Sequence, residues 1–233
     1  MARDQDRGRD RETGHGDSDR RVDVRDTYDR IASHFASTRE YAWPEVESFV
    51  ATHASDRAAG VGLDLGCGNC RHAELLATNL ESVVGLDVSR GLLETGRERS
   101  RERGFDVELV QGDAAALPLA TDIVDVAVYV ATLHHLPTRT GRRDSLDELA
   151  RVLSPDGRAL VSAWSTAHDR FDETAGFDTT VEWTLPDGET VDRFYHIYAP
   201  DEFEADLVDS DLEVFEWTLS SGNCYATVAG ASD

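Results

Sequence analysis

This sequence predicts a doubly wound α/β fold with a mostly parallel sheet, and three features carry the prediction. Apolar runs alternate with helix-like stretches over most of the 233 residues. The run Val61-Gly-Leu-Asp-Leu65 passes through Gly66, Cys67 and Gly68 directly into a helix beginning near Arg71. Three acids, Asp64, Asp87 and Asp113, fall at the C-terminal ends of successive runs, where open α/β sheets bind their ligands.

Taken in order, residues Met1 to about Arg25 are mostly Arg, Asp, Glu, Gly and Ser. Such a stretch buries too little surface to order itself, so 1–25 reads as a disordered tail and 26–233 as one folded domain. From Val24 to Phe35, the residues Tyr28, Ile31, Ala32 and Phe35 recur at helical spacing. A second helix opens with Pro44 and runs to Arg57. Both helices precede the first strand and could fold over the glycine turn. Val83 to Asp87 is the second strand. Asp87 lies twenty-one residues after Gly66, a separation that suits a carboxylate holding ribose hydroxyls.

Ser89 can cap the next helix, whose outer arginines (Arg90, Arg97, Arg99, Arg101, Arg103) read as a solvated face. The third strand is Phe105 to Val110, followed by Gln111-Gly-Asp113. The fourth, Asp122 to Tyr129, leads into Val130-Ala-Thr-Leu-His134-His135. A helix from about Arg142 to Leu153 meets the turn Ser154-Pro-Asp-Gly157 and a fifth strand, Arg158 to Trp164. Residues 165–192 show no period and read as an insertion. Pro200 to Asp209 is helical, and Leu212 to Ser220 with Cys224 to Ala229 forms a hairpin.

Charge narrows the function. The net charge is −23, with 46 acids against 23 basic residues and no lysine. Such an excess reads as a solvated surface suited to high salt, where screening lengths shrink to roughly 3 Å at 1 M. Overall charge therefore cannot hold a nucleic acid, which would need local positive groups. Three cysteines, an odd number, point to reduced thiols in a cytoplasm. Cys67 and Cys70 form a CxxC, but no second half-site completes a zinc centre, and no metal is expected. No apolar run is long enough to span a membrane.

Three acids in register suit a cofactor with an amine, a ribose and an adenine amine. The turn lacks GxGxxG spacing, and no GxxxxGK occurs. Leu63-Asp-Leu-Gly-Cys-Gly-Asn69, Gly85-Leu-Asp87, Gln111-Gly-Asp113 and the Pro-Asp-Gly turn resemble the motifs of class I S-adenosylmethionine (SAM) methyltransferases. Those enzymes have a Rossmann-like, seven-stranded doubly wound sheet, here preceded by N-terminal helices.

A closer resemblance is to the tRNA wobble-uridine carboxymethyl methyltransferases. It rests on Tyr28-Asp-Arg-Ile-Ala-Ser-His-Phe35 with Thr38-Arg39 and Trp43-Pro44, and on Leu133-His-His-Leu-Pro-Thr-Arg139. It rests also on Leu146 to Trp164, on Arg193-Phe-Tyr-His196 with Tyr198, and on Gly222-Asn223. That family esterifies 5-carboxymethyluridine at tRNA position 34 and works as a heterodimer with a small zinc-binding activator.

The resemblance implies that Gly66 and Gly68 carry the methionine part of SAM, with Asp64 near its amine. It implies Asp87 on the ribose and Asp113 on the adenine amine, with Cys67, Val88, Ala114 and Val130 beside the cofactor. A carboxylate is nucleophilic at neutral pH, so catalysis needs placement rather than a base. Arg39 and Arg193 are expected to place it bidentately, with His134 or His135 as pocket lining. Tyr28, Trp43 and Tyr195 are expected to cover the sulfonium or stack on the base, and His196 and Asn223 to meet the substrate.

Two departures from the pattern are Cys70, where a third glycine is usual, and Cys224-Tyr225, where a Trp is expected. A methyltransferase of a small carboxylic acid or another RNA site, and a non-catalytic SAM-binding partner, stay open alternatives. The third strand, as an exposed sheet edge, is expected to pair with the activator.

Overall fold

The computed structural model describes residues 13–230, with side chains from Arg20 onward. Its first half runs α1 (Thr13–Ser37), α2 (Pro44–His53), β1 (Val61–Leu65), α3 (Arg71–Ala77), β2 (Ser82–Asp87), α4 (Arg90–Arg103), β3 (Glu108–Gln111) and β4 (Val124–Val130). The second half runs α5 (Arg139–Val152), β5 (Leu153–Trp164), β6 (Phe177–Thr184), β7 (Thr190–Ile197), α6 (Pro200–Val208), β8 (Leu212–Ser220) and β9 (Asn223–Gly230). Seven strands form one sheet in the order β3-β2-β1-β4-β5-β9-β8. The first five are parallel, and β9 runs antiparallel to both β5 and β8. Strand order reverses at β1 and β4, so the crevice over their C-terminal ends is where this topology leaves room for a ligand.

The central strands are apolar along their length because both faces are covered. Along β4, Ala127 and Tyr129 face a cluster with Leu146, Leu149, Tyr198 and Phe203. The intervening Val126, Val128 and Val130 face Val46, Val50, Leu76 and Leu160 on the other side. That two-residue alternation is the signature of a strand buried in three layers.

Five expectations need correction. The helix expected from Val24 begins at Thr13, so residues 13–25 of the expected tail are helical, while 1–12 lie outside the described residues. Tertiary contacts hold this helix where local composition would not. Asp29 accepts hydrogen bonds from the Ser89 hydroxyl (2.6 Å) and the Gly91 amide (2.8 Å), tying α1 to the start of α4. Tyr28, Ile31 and Ala32 pack with Leu92 and Val191.

Residues 165–192 are not a featureless insertion, because β6 and β7 pair there as an antiparallel hairpin separate from the main sheet. The third strand is shorter than expected, Glu108–Gln111, and it does lie at the sheet edge. The Ser154-Pro-Asp-Gly157 turn is absorbed into β5 as a bulge, since Val124 pairs with Leu153 and Val126 with Arg158. The arginine-rich face of α4 is partly tied down, as Arg99 and Arg103 both pair with Glu74. Among the described residues, no helix is long and apolar enough to cross a membrane.

Candidate active site

Two adjoining cavities open over the C-terminal ends of β1 and β4, and the glycine turn forms the wall between them. Gly66 (φ 74°) and Gly68 (φ 53°) both take the left-handed backbone that a side chain resists. A Cβ on Gly66 would collide with Thr132, whereas one on Gly68 would meet nothing within 4 Å. The turn is pinned to β2: Gly66 and Cys67 donate to the Leu86 carbonyl at 2.7 and 2.9 Å, and Gly68 donates to Asp87 Oδ2 at 2.9 Å.

The first cavity is lined by Gly66, Gly68, Asp87, Val88, Asp113 and Ala114, with an apolar wall that includes Val24, Leu86, Leu92 and Leu136. Its flat apolar flanks, open backbone at Gly68 and carboxylates at intervals fit an adenosyl group with an amino-acid tail. Asp87 also accepts from the Ser89 amide (2.9 Å), and burial raises its carboxyl to about 6. Asp113 is partly engaged: Oδ2 accepts from Arg21 (2.9 Å) and Oδ1 from the Ala115 amide (2.9 Å). Each carboxylate oxygen has a second lone pair, so room for an adenine amine remains. Arg21 lay within the expected tail and was not foreseen.

Asp64 is placed otherwise than expected. It lines neither cavity, and its Oδ2 accepts from the Ala73 amide in the first turn of α3 at 2.8 Å. Burial raises it to about 7. The geometry is that of a carboxylate satisfying a free helix amide, with no direct path to a ligand amine.

The second cavity shares Tyr28, Phe35, Gly66, Gly68, Ala131, Thr132 and His135 with the first, so a group passing between them crosses at these residues. It brings together the expected Arg39, Trp43, His134, His135, Arg193, Tyr195 and Asn223. Cys67 and Val130, expected beside the cofactor, line this side. His135 Nδ1 meets the Phe194 carbonyl (2.9 Å), which can only accept, so this nitrogen carries the proton. Its Nε2 therefore accepts from the Tyr28 hydroxyl (2.9 Å). Burial lowers His135 to about 4 and His134 well below the usual range, so both rings are neutral. His134 Nδ1 accepts from the Trp164 amide (3.0 Å), and its ring stacks on Tyr195.

Arg193 is almost fully buried. It donates to the Tyr195 hydroxyl (2.8 Å) and lies over the rings of Trp183 and Tyr195, while its Nε has no partner. His196, like Asp64, lies off the cavity it was expected to line. Its two nitrogens meet Asp178 (2.7 Å) and Glu202 (3.0 Å) outside the cavity, leaving neither for a substrate.

Sequence reasoning missed Asn69, Arg71, His72, His168 and Arg170, all on this cavity. Asn69 donates to the Ala36 and Arg39 carbonyls (3.2 and 2.8 Å), so the glycine turn also positions the segment carrying Arg39. Cys70 has φ 61°, the backbone that a glycine would relax, and its sulfur fits because α4 has Gly96 opposite. A Cβ on Gly96 would stand 2.5 Å from the Cys70 sulfur.

Residues 63–161 match the model of a methyltransferase domain, and the fold matches that of solved SAM-dependent methyltransferases, such as one from Clostridium acetobutylicum with TM-score 0.68 and 13% identity over 88% of this chain and 96% of that one. It is 34% identical over 146 residues to a tRNA (carboxymethyluridine(34)-5-O)-methyltransferase of Arabidopsis thaliana, covering 63% of this chain and 33% of that one. A Saccharomyces cerevisiae protein of the same name is 30% identical over 168 residues, covering 70% and 57%. The chain thus spans about a third of the Arabidopsis relative's length. Among solved structures, a complex of the Haloferax volcanii Trm112 methyltransferase activator with a methyltransferase matches in fold, with TM-score 0.62 and 16% identity over 90% of this chain and 98% of that one.

Burial holds Asp64 and Asp87 above the roughly 3.9 of an unfolded aspartate. A folded-state value above the unfolded one means that ionisation opposes folding. The cost is absent below about pH 4 and is complete once pH passes about 7. Asp64→Asn keeps an oxygen for the Ala73 amide and removes the larger share of this cost. The melting-temperature difference between about pH 5 and about pH 8.5 is expected to shrink in Asp64→Asn relative to wild type. Parallel curves for the two proteins would contradict it.

Proposed function

We propose that this chain transfers the methyl group of SAM to the carboxylate of a carboxymethyl-modified wobble uridine in tRNA, forming an ester. One observation carries the reading. The second cavity has Arg39, Arg71, Arg170 and Arg193 on its walls and no Asp or Glu, in a chain with 46 acids. Elsewhere arginines pair with carboxylates, as Arg139 does with Asp206 and Arg151 with Glu148. None of the four cavity arginines has an ion pair among the described residues. A cavity kept free of acids beside the cofactor cavity suits an anionic substrate, and the named activity of the relatives supports a carboxymethyl group as that anion.

When bound, SAM supplies an electrophilic methyl group on a sulfonium. The chain's own residues then have three tasks. Arg193, with its unpartnered Nε, and Arg39 would hold the substrate carboxylate through charge-assisted hydrogen bonds that fix its direction. Neutral His134, His135 and protonated Tyr28 line the passage without adding a competing anion. Phe35, Trp43 and Tyr195 offer ring faces to a base or a cation. No residue needs to remove a proton, because the carboxylate is already the nucleophile. The buried, neutral His134 and His135 agree with that.

The activator would dock along β3, whose backbone, among the described residues, pairs with β2 and no other strand, leaving an edge suited to strand addition. The proposed heterodimer contact would lie on the far side of β2 from β4, away from the second cavity.

Arg193→Ala is expected to lower kcat/KM for tRNA methylation by about a hundredfold, as loss of a charged hydrogen-bonding partner would. Calorimetric SAM affinity should stay within about twofold. Equal losses in both would assign Arg193 to folding instead. For the partner, proline at Val107, one residue ahead of β3, should abolish co-purification with the activator subunit while the melting temperature stays near wild type. Unchanged co-purification would place the interface elsewhere.

A further inference from the structure

The second cavity holds more positive charge than one substrate carboxylate can use. A single arginine suffices to grip a carboxylate bidentately, and Arg193 already has the buried, aromatic-lined position for it. Arg39 stands with it for the same carboxylate, and two further arginines, Arg71 and Arg170, share the cavity without carboxylate partners. In a chain with a net charge of −23, leaving those cations unneutralised suits a ligand with more than one negative charge.

Arg71 is the better defined of the two. It opens α3 directly after the glycine turn, its guanidinium lies 5.2 Å from the centre of the Trp43 ring, and it is half-buried. Burial, together with the nearby positive charge of Arg39, lowers it to about 10. Two neighbouring cations are thus held together against their repulsion. Its neighbour His72 provides an independent sign: this side chain is almost fully buried, lines the same cavity and has no partner for Nε2. Arg71, His72 and Trp43 form the α2–α3 wall, whereas Arg193 and Tyr195 belong to β7.

Resting on the function proposed above, we infer that Arg71, with His72 and the Trp43 ring, forms a second anion subsite that grips a backbone phosphate of the nucleic acid next to the modified nucleotide. The cavity is then built for a nucleotide within a polynucleotide chain, and a free nucleoside carboxylate would fill only the Arg193 side.

Arg71→Gln and Arg71→Lys in the full chain test this. Methylation is measured, with the activator added, on an anticodon stem-loop RNA and on free 5-carboxymethyluridine. Binding of the fluorescent stem-loop is measured in parallel by anisotropy across a salt series, with S-adenosylhomocysteine present. Arg71→Gln is expected to raise KM for the stem-loop about tenfold with kcat little changed, to leave the free nucleoside unaffected, and to flatten the salt dependence by about 0.7 in log–log slope, one single-strand phosphate. Arg71→Lys should keep the slope. An equal loss on both substrates, or an unchanged binding slope, would overturn the subsite. If wild type methylates neither substrate, the esterification reading itself fails, and the salt series still decides whether Arg71 meets a phosphate.

Discussion

Asp87 and the glycine turn hold each other in place, and much of the molecule's chemistry depends on that contact. The Gly68 amide donates to Asp87, the Gly66 and Cys67 amides to Leu86, and so the end of β2 fixes the loop that leaves β1. From that loop Asn69 reaches the Arg39 segment, Arg71 reaches Trp43, and α3 starts over the buried Asp64. A bound cofactor on one side and a substrate on the other would therefore be positioned by the same turn, residues 66–71. The cost is local: Cys70 sits in a left-handed conformation, and two carboxyls are buried. Such strain is characteristic of sites whose surroundings over-determine them.

Segregation of charge is the second organising feature. Acids dominate the chain, and surface arginines meet them in ion pairs, yet the second cavity contains no acid. At high salt, exposed attractions are screened to a few ångströms, and short, shielded contacts persist best. The cavity arginines are each backed by an aromatic ring. Arg39 over Phe35, Arg71 over Trp43, Arg170 over Trp164 and Arg193 over Trp183 repeat that arrangement four times.

How much of this was legible beforehand follows from where each signal resides. The parallel strands, the glycine turn and Asp87 are local patterns and could be read directly. The β6–β7 hairpin was also written locally, in the alternation of Phe177, Thr179, Val181 and Trp183 before Pro186-Asp187-Gly188, but lay in a stretch read as irregular. Arg21 was hidden because its helix is held by Asp29 and Asp113, contacts between segments far apart in sequence. His196 was misassigned because its partners, Asp178 and Glu202, come from either side of β7 in the chain and meet it only on folding. Arg71 was visible as a helix start, whereas its place beside Trp43 and Arg39 arises only on folding.

The central claim is that the acid-free cavity presents a carboxylate to the methyl donor. The most direct measurement is transfer of a labelled methyl group to tRNA in high salt with the activator present, one portion then being treated with mild alkali and an untreated portion taken to nucleoside mass spectrometry. The account predicts a base-labile label, released as methanol, and a methyl ester located on the wobble uridine. A base-stable label on a ring nitrogen or ribose oxygen would contradict it.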